Sequence, residues 1–216
     1  MTDDLPHTLR SDAQLNRERI LDAARALFRA EGLNVPMREV ARHAEVGPAT
    51  LYRHFATKQA LVTAAFADQL RACRDIVDAA CADPDPWRGF RTVVEKVCEL
   101  HARDRGFTEA FMSTLPGADA AAVVASSEYQ FKAVDALAQR AKDAGRLRPD
   151  FTLDDLVLML MANKGIHAPS PTLQANASRR FAGFVIQAFE ACPHQSALPP
   201  AVTFERYESL GGQSRH

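Results

Sequence analysis

The run REVARHAEVGPATLYRHFATK, residues 38–58, concentrates side chains suited to a polyanion. Arg38, Arg42, Arg53 and Lys58 carry positive charge, Thr50 and Tyr52 offer hydroxyls, and His43 and His54 add imidazoles. Guanidinium and ammonium groups hold phosphates, and an arginine can also grip the edge of a guanine in two places. A second constellation, His101 with Asp104, sits one helical turn apart, a spacing compatible with metal binding or proton transfer. That pair stands alone. The chain has no HExxH, GxSxG, phosphate-binding loop or dinucleotide glycine pattern, and Glu109 has no evident paired carboxylate. Cys73, Cys81, Cys98 and Cys192 show neither CxxC nor metal-ligand spacing, so buried, reduced thiols are the expectation. No catalytic site, metal or cofactor is expected.

The basic run must be positioned by helices. Val40, Ala41 and Ala44 make one apolar stripe, leaving Arg38, Glu39, Arg42 and His43 toward solvent. Gly47 can supply a positive φ or a close approach, and Pro48 suits the first turn of the helix that follows. In that second helix Leu51 and Phe55 point inward, so Pro48, Ala49, Thr50, Tyr52, Arg53 and His54 remain for another partner. Two short helices around a tight turn, the second presenting polar groups, form a helix-turn-helix. Upstream, Ile20, Leu21, Ala24, Leu27 and Phe28 form the inner face of a helix expected over Asn16 to Glu31, closed by Gly32.

These residues, with RILDAARALFRAEGLNVPMREVA upstream and Thr57, Lys58, Ala60 and Leu61 downstream, closely resemble the TetR family of bacterial transcription regulators over the first third of the chain. The resemblance implies phosphate contacts from Tyr52, Lys58 and Thr50, with Pro48, Ala49 and Arg53 placed in a DNA groove. Arg53 is then the candidate for reading guanine, and Ala49 or Pro48 for touching a thymine methyl. Many members carry serine at the position of Gly47 and a hydroxyl residue near Pro36. Replacing a hydroxyl cap by glycine costs about 1 kcal/mol or less, so the fold tolerates the change while the hydroxyl contact at Gly47 is lost.

Composition agrees. With 216 residues, 47% of them hydrophobic, and 10 glycines, the chain can bury a sizeable core. Residues 14–58 hold eight Lys or Arg against five Asp or Glu in a chain of formal net charge −1, so positive charge gathers at one end. No apolar run approaches the ~20 residues that span a bilayer, and MTDDLPHTLR lacks a signal-peptide core, so a cytoplasmic protein without membrane association is expected.

Beyond Lys58 the pattern stays helical. One long linking helix is expected from Thr57 to Ala80, ending before Asp83-Pro84-Asp85-Pro86; further helices follow from Trp87 to His101, Phe107 to Leu115 and Ala120 to Ala144. GRLRPDFTLDDLVLMLMANKG resembles the lead into the last helix pair of TetR-type C-terminal domains, and Thr152 with Asp155 supplies a capping pattern there. In the family that pair forms a four-helix dimer interface, which implies a homodimer contact through Leu158, Met161, Phe181, Phe184, Val185 and Ala188. Closure of the monomer core is the alternative for these residues.

The resemblance also implies a pocket in each C-terminal domain whose occupation swings the linking helix. Its expected lining is Phe66, Leu70, Cys73, Phe90, Val94, Val97, His101, Phe111, Met112, Phe131, Met159 and Asn163, which favours an apolar or amphipathic small molecule. Each is equally compatible with ordinary packing. The expected organisation is therefore all-α: a flexible arm (1–15), a three-helix DNA-binding domain (16–60), a helical ligand-binding and dimerisation domain (61–192) and a C-terminal tail (193–216), mobile or draped on the surface. The expected function is a homodimeric repressor released from a palindromic double-stranded DNA operator by a small-molecule effector. An activator of the same family, a non-regulatory helical binding protein or an enzyme are the alternatives.

Overall fold

The computed structural model describes residues 5–104, 106–108, 111 and 121–202, and their regular structure is helical. Met112 lies outside the described residues, as does most of the helix expected over 107–115. The predicted inner face of the first helix is buried: Ile20 and Ala24 are inaccessible, and Leu21, Leu27 and Phe28 nearly so. That helix, α1 (Leu5–Glu31), begins well before Asn16, so the arm expected over residues 1–15 is helical from Leu5 onward. It ends where Gly32 takes φ +78°, with the Gly32 amide bonded to the Phe28 carbonyl.

The next helices, α2 (Met37–His43) and α3 (Pro48–His54), pack on α1 through Val40, Ala41, Leu51 and Phe55. The turn between them departs from expectation. Gly47 has φ −67°, and a Cβ built on it would meet nothing within 4 Å, so neither a positive φ nor a close approach explains it. The left-handed residue is Glu45, at φ 55°. Val46 donates to the Ala41 carbonyl and Glu45 to that of Arg42, the paired bonds that close a helix end when the intervening residue is left-handed. Gly145 closes the later helix α7 (Ala121–Asp143) in the same way, at φ +66°, with Arg146 bonded to Ala141 and Gly145 to Lys142. A glycine holds this conformation without steric penalty; a glutamate does not.

The predicted long linking helix is two helices. α4 (Lys58–Ala65) is capped by Thr57, whose hydroxyl accepts from the Ala60 amide at 3.1 Å. α5 (Ala67–Cys81) follows after a break at Phe66, where φ is −107° and ψ 17°. The α4 residues Leu61, Val62 and Ala65 are buried, and Arg25 on α1 donates to the Ala65 carbonyl at 2.9 Å. The boundary expected between residues 60 and 61 thus falls inside a helix packed on α1.

In the second region α6 (Pro86–Arg103) is central, flanked by α5, α7, α8 (Leu153–Gly165) and α9 (Pro171–Phe189). Asp85 caps α6 by accepting from the amides of Trp87 and Arg88. Gly89 lets α5 and α6 touch: a Cβ there would lie 2.4 Å from the Ala80 carbonyl oxygen. At the start of α8 the expected cap is present, with Thr152 N–H donating to the Asp155 carboxylate at 2.8 Å. After α9 the chain is held rather than loose. Arg148, buried, donates to the carbonyls of Ala188 and Ser196 and to Asp150, and Asp150 in turn accepts from the Leu198 amide at 2.9 Å. The start of the tail is therefore draped on the 146–151 loop; residues 203–216 lie outside the described residues.

Candidate nucleic-acid interface and aromatic cluster

With Leu51 and Phe55 anchoring α3, its outward residues form a surface. Pro48, Ala49, Tyr52 and Arg53 are exposed, Thr50 is half-buried, and Lys58 stands half-buried at the first turn of α4. Tyr52 is 52% exposed, large for an aromatic residue with no other site to fill. His54 is half-buried, its ring 6.4 Å from that of Phe55, so less of it faces outward than its type suggested.

Charge sorts the arginines further. Arg42 is paired with Glu39 on the same helix face, Arg25 with Asp22, and Arg19 lies 3.7 Å from Glu45. Arg38 and Arg53 make no ion pair among the described residues, and Arg17 lies over the Phe55 ring. The Glu39 hydrogen bond raises the Arg42 pKa and lowers that of Glu39, so Arg42 reaches any phosphate as half of a neutral pair. Arg38 and Arg53 carry the uncompensated charge.

The expected pocket residues divide into separate groups. Phe66, Phe107, Phe111 and Phe131 form a chain of rings with centroids about 6 Å apart, and His101 lies against Phe107 and Phe111 at 4.8 and 5.2 Å. Leu70 is half-buried on α5; Cys73, Val94 and Val97 are buried on α5 and α6. Phe90 belongs elsewhere, with Trp87, Phe151 and Phe189 at ring distances of 5.2 to 6.3 Å. Met159 sits on Cys98, their sulfurs 3.8 Å apart.

Asn163, expected to offer a polar group to a ligand, binds helices together instead. Its Nδ2 donates to the Cys98 carbonyl at 3.0 Å, and Ser178 Oγ lies 2.8 Å from its Oδ1 and 3.1 Å from the same carbonyl. One buried knot thus joins α6, α8 and α9. Burial pushes the Cys73 and Cys98 thiols up to about 12, far from a reactive thiolate.

His101 and Asp104 do not form a shared acid–base or metal pair. His101 Nδ1 lies 2.9 Å from Thr108 Oγ1, and burial pushes the ring pKa down to about 3. Asp104 Oδ1 accepts from the Phe107 amide, while Oδ2 faces Arg29 Nη2 at 3.4 Å and Gln69 Nε2 at 3.5 Å. Among the described residues no three His, Cys, Asp or Glu side chains gather as metal ligands.

Asp104 instead marks a junction that sequence reasoning missed. Arg29 belongs to α1, Gln69 to α5 and Asp104 to the end of α6, so one carboxylate touches both regions. Beside it Gly106 lies so close to α1 that a Cβ would fall 2.8 Å from the Phe28 carbonyl oxygen. Phe66 completes the contact, 6.2 Å from Phe28 and 5.9 Å from Phe107. The glycine in Arg103-Asp-Arg-Gly-Phe107 was the available signal, since it interrupts a charged run where no turn was needed to end a domain.

On the far side of α8 and α9, Leu158, Met161 and Phe184 are 53%, 47% and 54% exposed, joined by exposed Ala188 and half-buried Phe181 and Val185. Leu173, also 53% exposed, extends the patch, and Arg180 lies over the Phe184 ring at 5.0 Å. Closure of the monomer core accounts for Phe181 and Val185 in part; it leaves the other four facing water.

The same two regions are found in known proteins. Residues 20–65 match the profile of bacterial regulatory proteins of the tetR family, and residues 85–187 that of the SbtR-like transcriptional regulator C-terminal domain. The HTH-type transcriptional repressor KstR of Mycolicibacterium smegmatis is 33% identical over 145 residues, 66% of this chain and 71% of the relative. Among solved structures, the TetR family regulator PfmR of Thermus thermophilus superposes with a TM-score of 0.61 at 18% identity, over 78% of this chain and 97% of that one. AibR, solved with isovaleryl coenzyme A and operator DNA, gives 0.59 at 19% identity over the same shares. At those identities the superpositions speak for the fold, while the profiles and the repressor relative place the chain itself. It belongs to the TetR family of transcription regulators.

Proposed function

We propose that this regulator is a homodimeric, cytoplasmic repressor that occupies a palindromic operator and leaves it when a small molecule binds the C-terminal region. The observation that carries the reading is the outward face of α3, where Tyr52 and Arg53 stand exposed on a helix fixed by Leu51 and Phe55, with Arg53 lacking an acidic partner among the described residues. Arg53 reads a base edge; Tyr52, Thr50, Arg38 and Lys58 hold phosphates; Pro48 and Ala49 give apolar contact. Arg42, neutralised by Glu39, contributes less. The repressor name of the KstR relative supports the sign of control.

The exposed apolar face of α8 and α9 pairs with its copy, Leu158, Met161 and Phe184 at the centre. A two-fold axis there sets two α3 helices on one face of DNA about 34 to 36 Å apart or slightly more. The effector is apolar or amphipathic and inserts among the rings of Phe66, Phe111 and Phe131. Its arrival moves the 104–108 segment, and through Asp104, Gly106 and Phe66 that movement reaches Phe28 and Arg29 on α1. A ligand shifts the balance only by favouring the arrangement whose DNA-reading helices are out of register.

Selection of bound fragments from genomic DNA by the purified protein, at fixed near-physiological salt, tests the reading. A recovered palindrome supports it, and its position over a promoter identifies repression. A folded dimer that enriches no motif overturns it.

A further inference from the structure

The buried polar groups of the second region are nearly all satisfied. Asn163 and Ser178 share the Cys98 carbonyl, Arg148 has three partners, and Asp104 accepts from an amide and faces two donors. Gln130 Nε2 and His101 Nε2 break the pattern, and the second belongs to a ring set against two phenylalanines. His101 Nε2 is buried, in a residue 1% exposed, and no hydrogen-bond partner among the described residues reaches it. An unmade hydrogen bond at such a site is destabilising, which makes each case one to explain.

The protonation of the ring follows from its other nitrogen. Thr108 Oγ1 has a single proton, and the carbonyls of His101 and Asp104 lie within its reach, at 3.3 and 3.4 Å. Carbonyls only accept. With that proton given to a carbonyl, the 2.9 Å contact between Thr108 Oγ1 and His101 Nδ1 is donated by Nδ1–H; the other tautomer would have Thr108 donate to Nδ1. With the ring held neutral by burial, Nε2 carries a bare lone pair. The ring lies in apolar company, against Phe107 and Phe111, with Phe131 next to Phe111.

We infer that His101 Nε2 is the hydrogen-bond acceptor for the effector, selecting apolar molecules that carry a neutral donor, a hydroxyl or N–H group, over anionic carboxylates. The inference rests on the reading that the effector inserts among these aromatic rings. A hydroxyl completes the chain donor–Nε2, Nδ1–H–Thr108, Thr108–carbonyl without moving a proton. A carboxylate would set negative charge against a lone pair in a site that keeps the imidazole uncharged. Selectivity of this kind is strong because the wrong ligand leaves a buried polar atom unpaired.

The probes are para-pentylphenol, its methyl ether and para-pentylbenzoate, titrated into the full-length protein labelled with nitrogen-15 histidine. The free protein should show the Nδ1–H form at His101, assigned with the His101→Phe variant. The phenol should move the Nε2 resonance upfield and bind at least about tenfold more tightly than the ether or the benzoate, a difference of about 1.4 kcal/mol. His101→Phe should bind phenol and ether alike. An Nε2–H form in the free wild-type protein overturns the inference without any ligand. Equal binding of phenol and ether, with shifts in the Phe111 ring signals, removes the acceptor role and leaves the aromatic-cluster reading standing. Binding of none of the three overturns both.

Discussion

The DNA-reading head and the helical body use polar side chains in opposite ways. In the head, Tyr52, Arg53 and Arg38 point to water over a small core of Ile20, Val40 and Leu51, and their roles depend on what arrives from outside. In the body, His101, Asp104, Asn163, Ser178 and Arg148 are buried, and, His101 with its nearby Thr108 apart, their roles depend on partners far away in the chain. Exposed chemistry is decided by residue type and by charge balance with near neighbours. Buried chemistry is decided by which hydrogen bond each group already makes. A polar residue in the body is therefore a ligand contact only where its bonding is incomplete.

The contrast is broken most severely through Gly89. Gly89→Ala drives a Cβ into the Ala80 carbonyl, forces α5 and α6 apart and should destabilise the protein by about 3 kcal/mol, read by urea denaturation. Wild-type stability in that variant would mean the two helices slide without resistance. Next comes the head: Arg53→Ala should relax preference at one base position by ~1 to 3 kcal/mol, whereas Lys58→Ala weakens all sequences alike and lowers the salt slope by about 1. A uniform loss for Arg53→Ala would make it a phosphate contact. Arg42→Ala should cost less than either, because Glu39 already neutralises it.

A smaller effect separates the regions by pH. Because His101 is pushed down to about 3 in the folded protein and titrates near 6.5 when unfolded, the unfolded chain takes up a proton first as pH falls. The stability tied to neutral His101 is complete above about pH 6.5 and is lost toward pH 3, by at most about 1.4 kcal/mol per pH unit. Thermal melts of wild type and His101→Phe should diverge in slope across that window; parallel curves would show the ring is hydrated. Smallest is Glu45→Gly, which relieves a left-handed glutamate and should raise head stability by up to about 1 kcal/mol. A lower melting temperature would show that the exposed contact of Glu45 with Arg19 outweighs the backbone penalty.

The same contrast explains what the sequence disclosed. The faces of α1 and α3 were legible because Ile20, Ala24, Leu27 and Phe28, and then Leu51 and Phe55, repeat at helical spacing against polar neighbours. The break at Phe66 was hidden because the apolar spacing continues through it from Leu61 to Ala80. Glu45 gives no sign of its conformation beside Gly47, because glycine is the usual left-handed residue and nothing local reports that the turn closes two residues earlier. In the body, residue type did not separate Phe90 from Phe111, which lie in different aromatic groups. Nor did it reveal that Asn163 is engaged by Ser178 and Cys98, since Ser178 and Cys98 lie 80 residues apart in the chain.

Phe66 has a consequence for exchanging parts between regulators of this kind. Its ring lies between Phe28 of the head and Phe107 of the body, so the break in the helix is also the place where the two share a side chain. A chimera spliced after Ala65 inherits whatever residue the donor body has in that position. Its operator preference would travel with α3, but the tightness with which effector and operator exclude each other would be set anew by the fit of that one residue against Phe28. Recognition is portable at this joint; obedience to the effector is not.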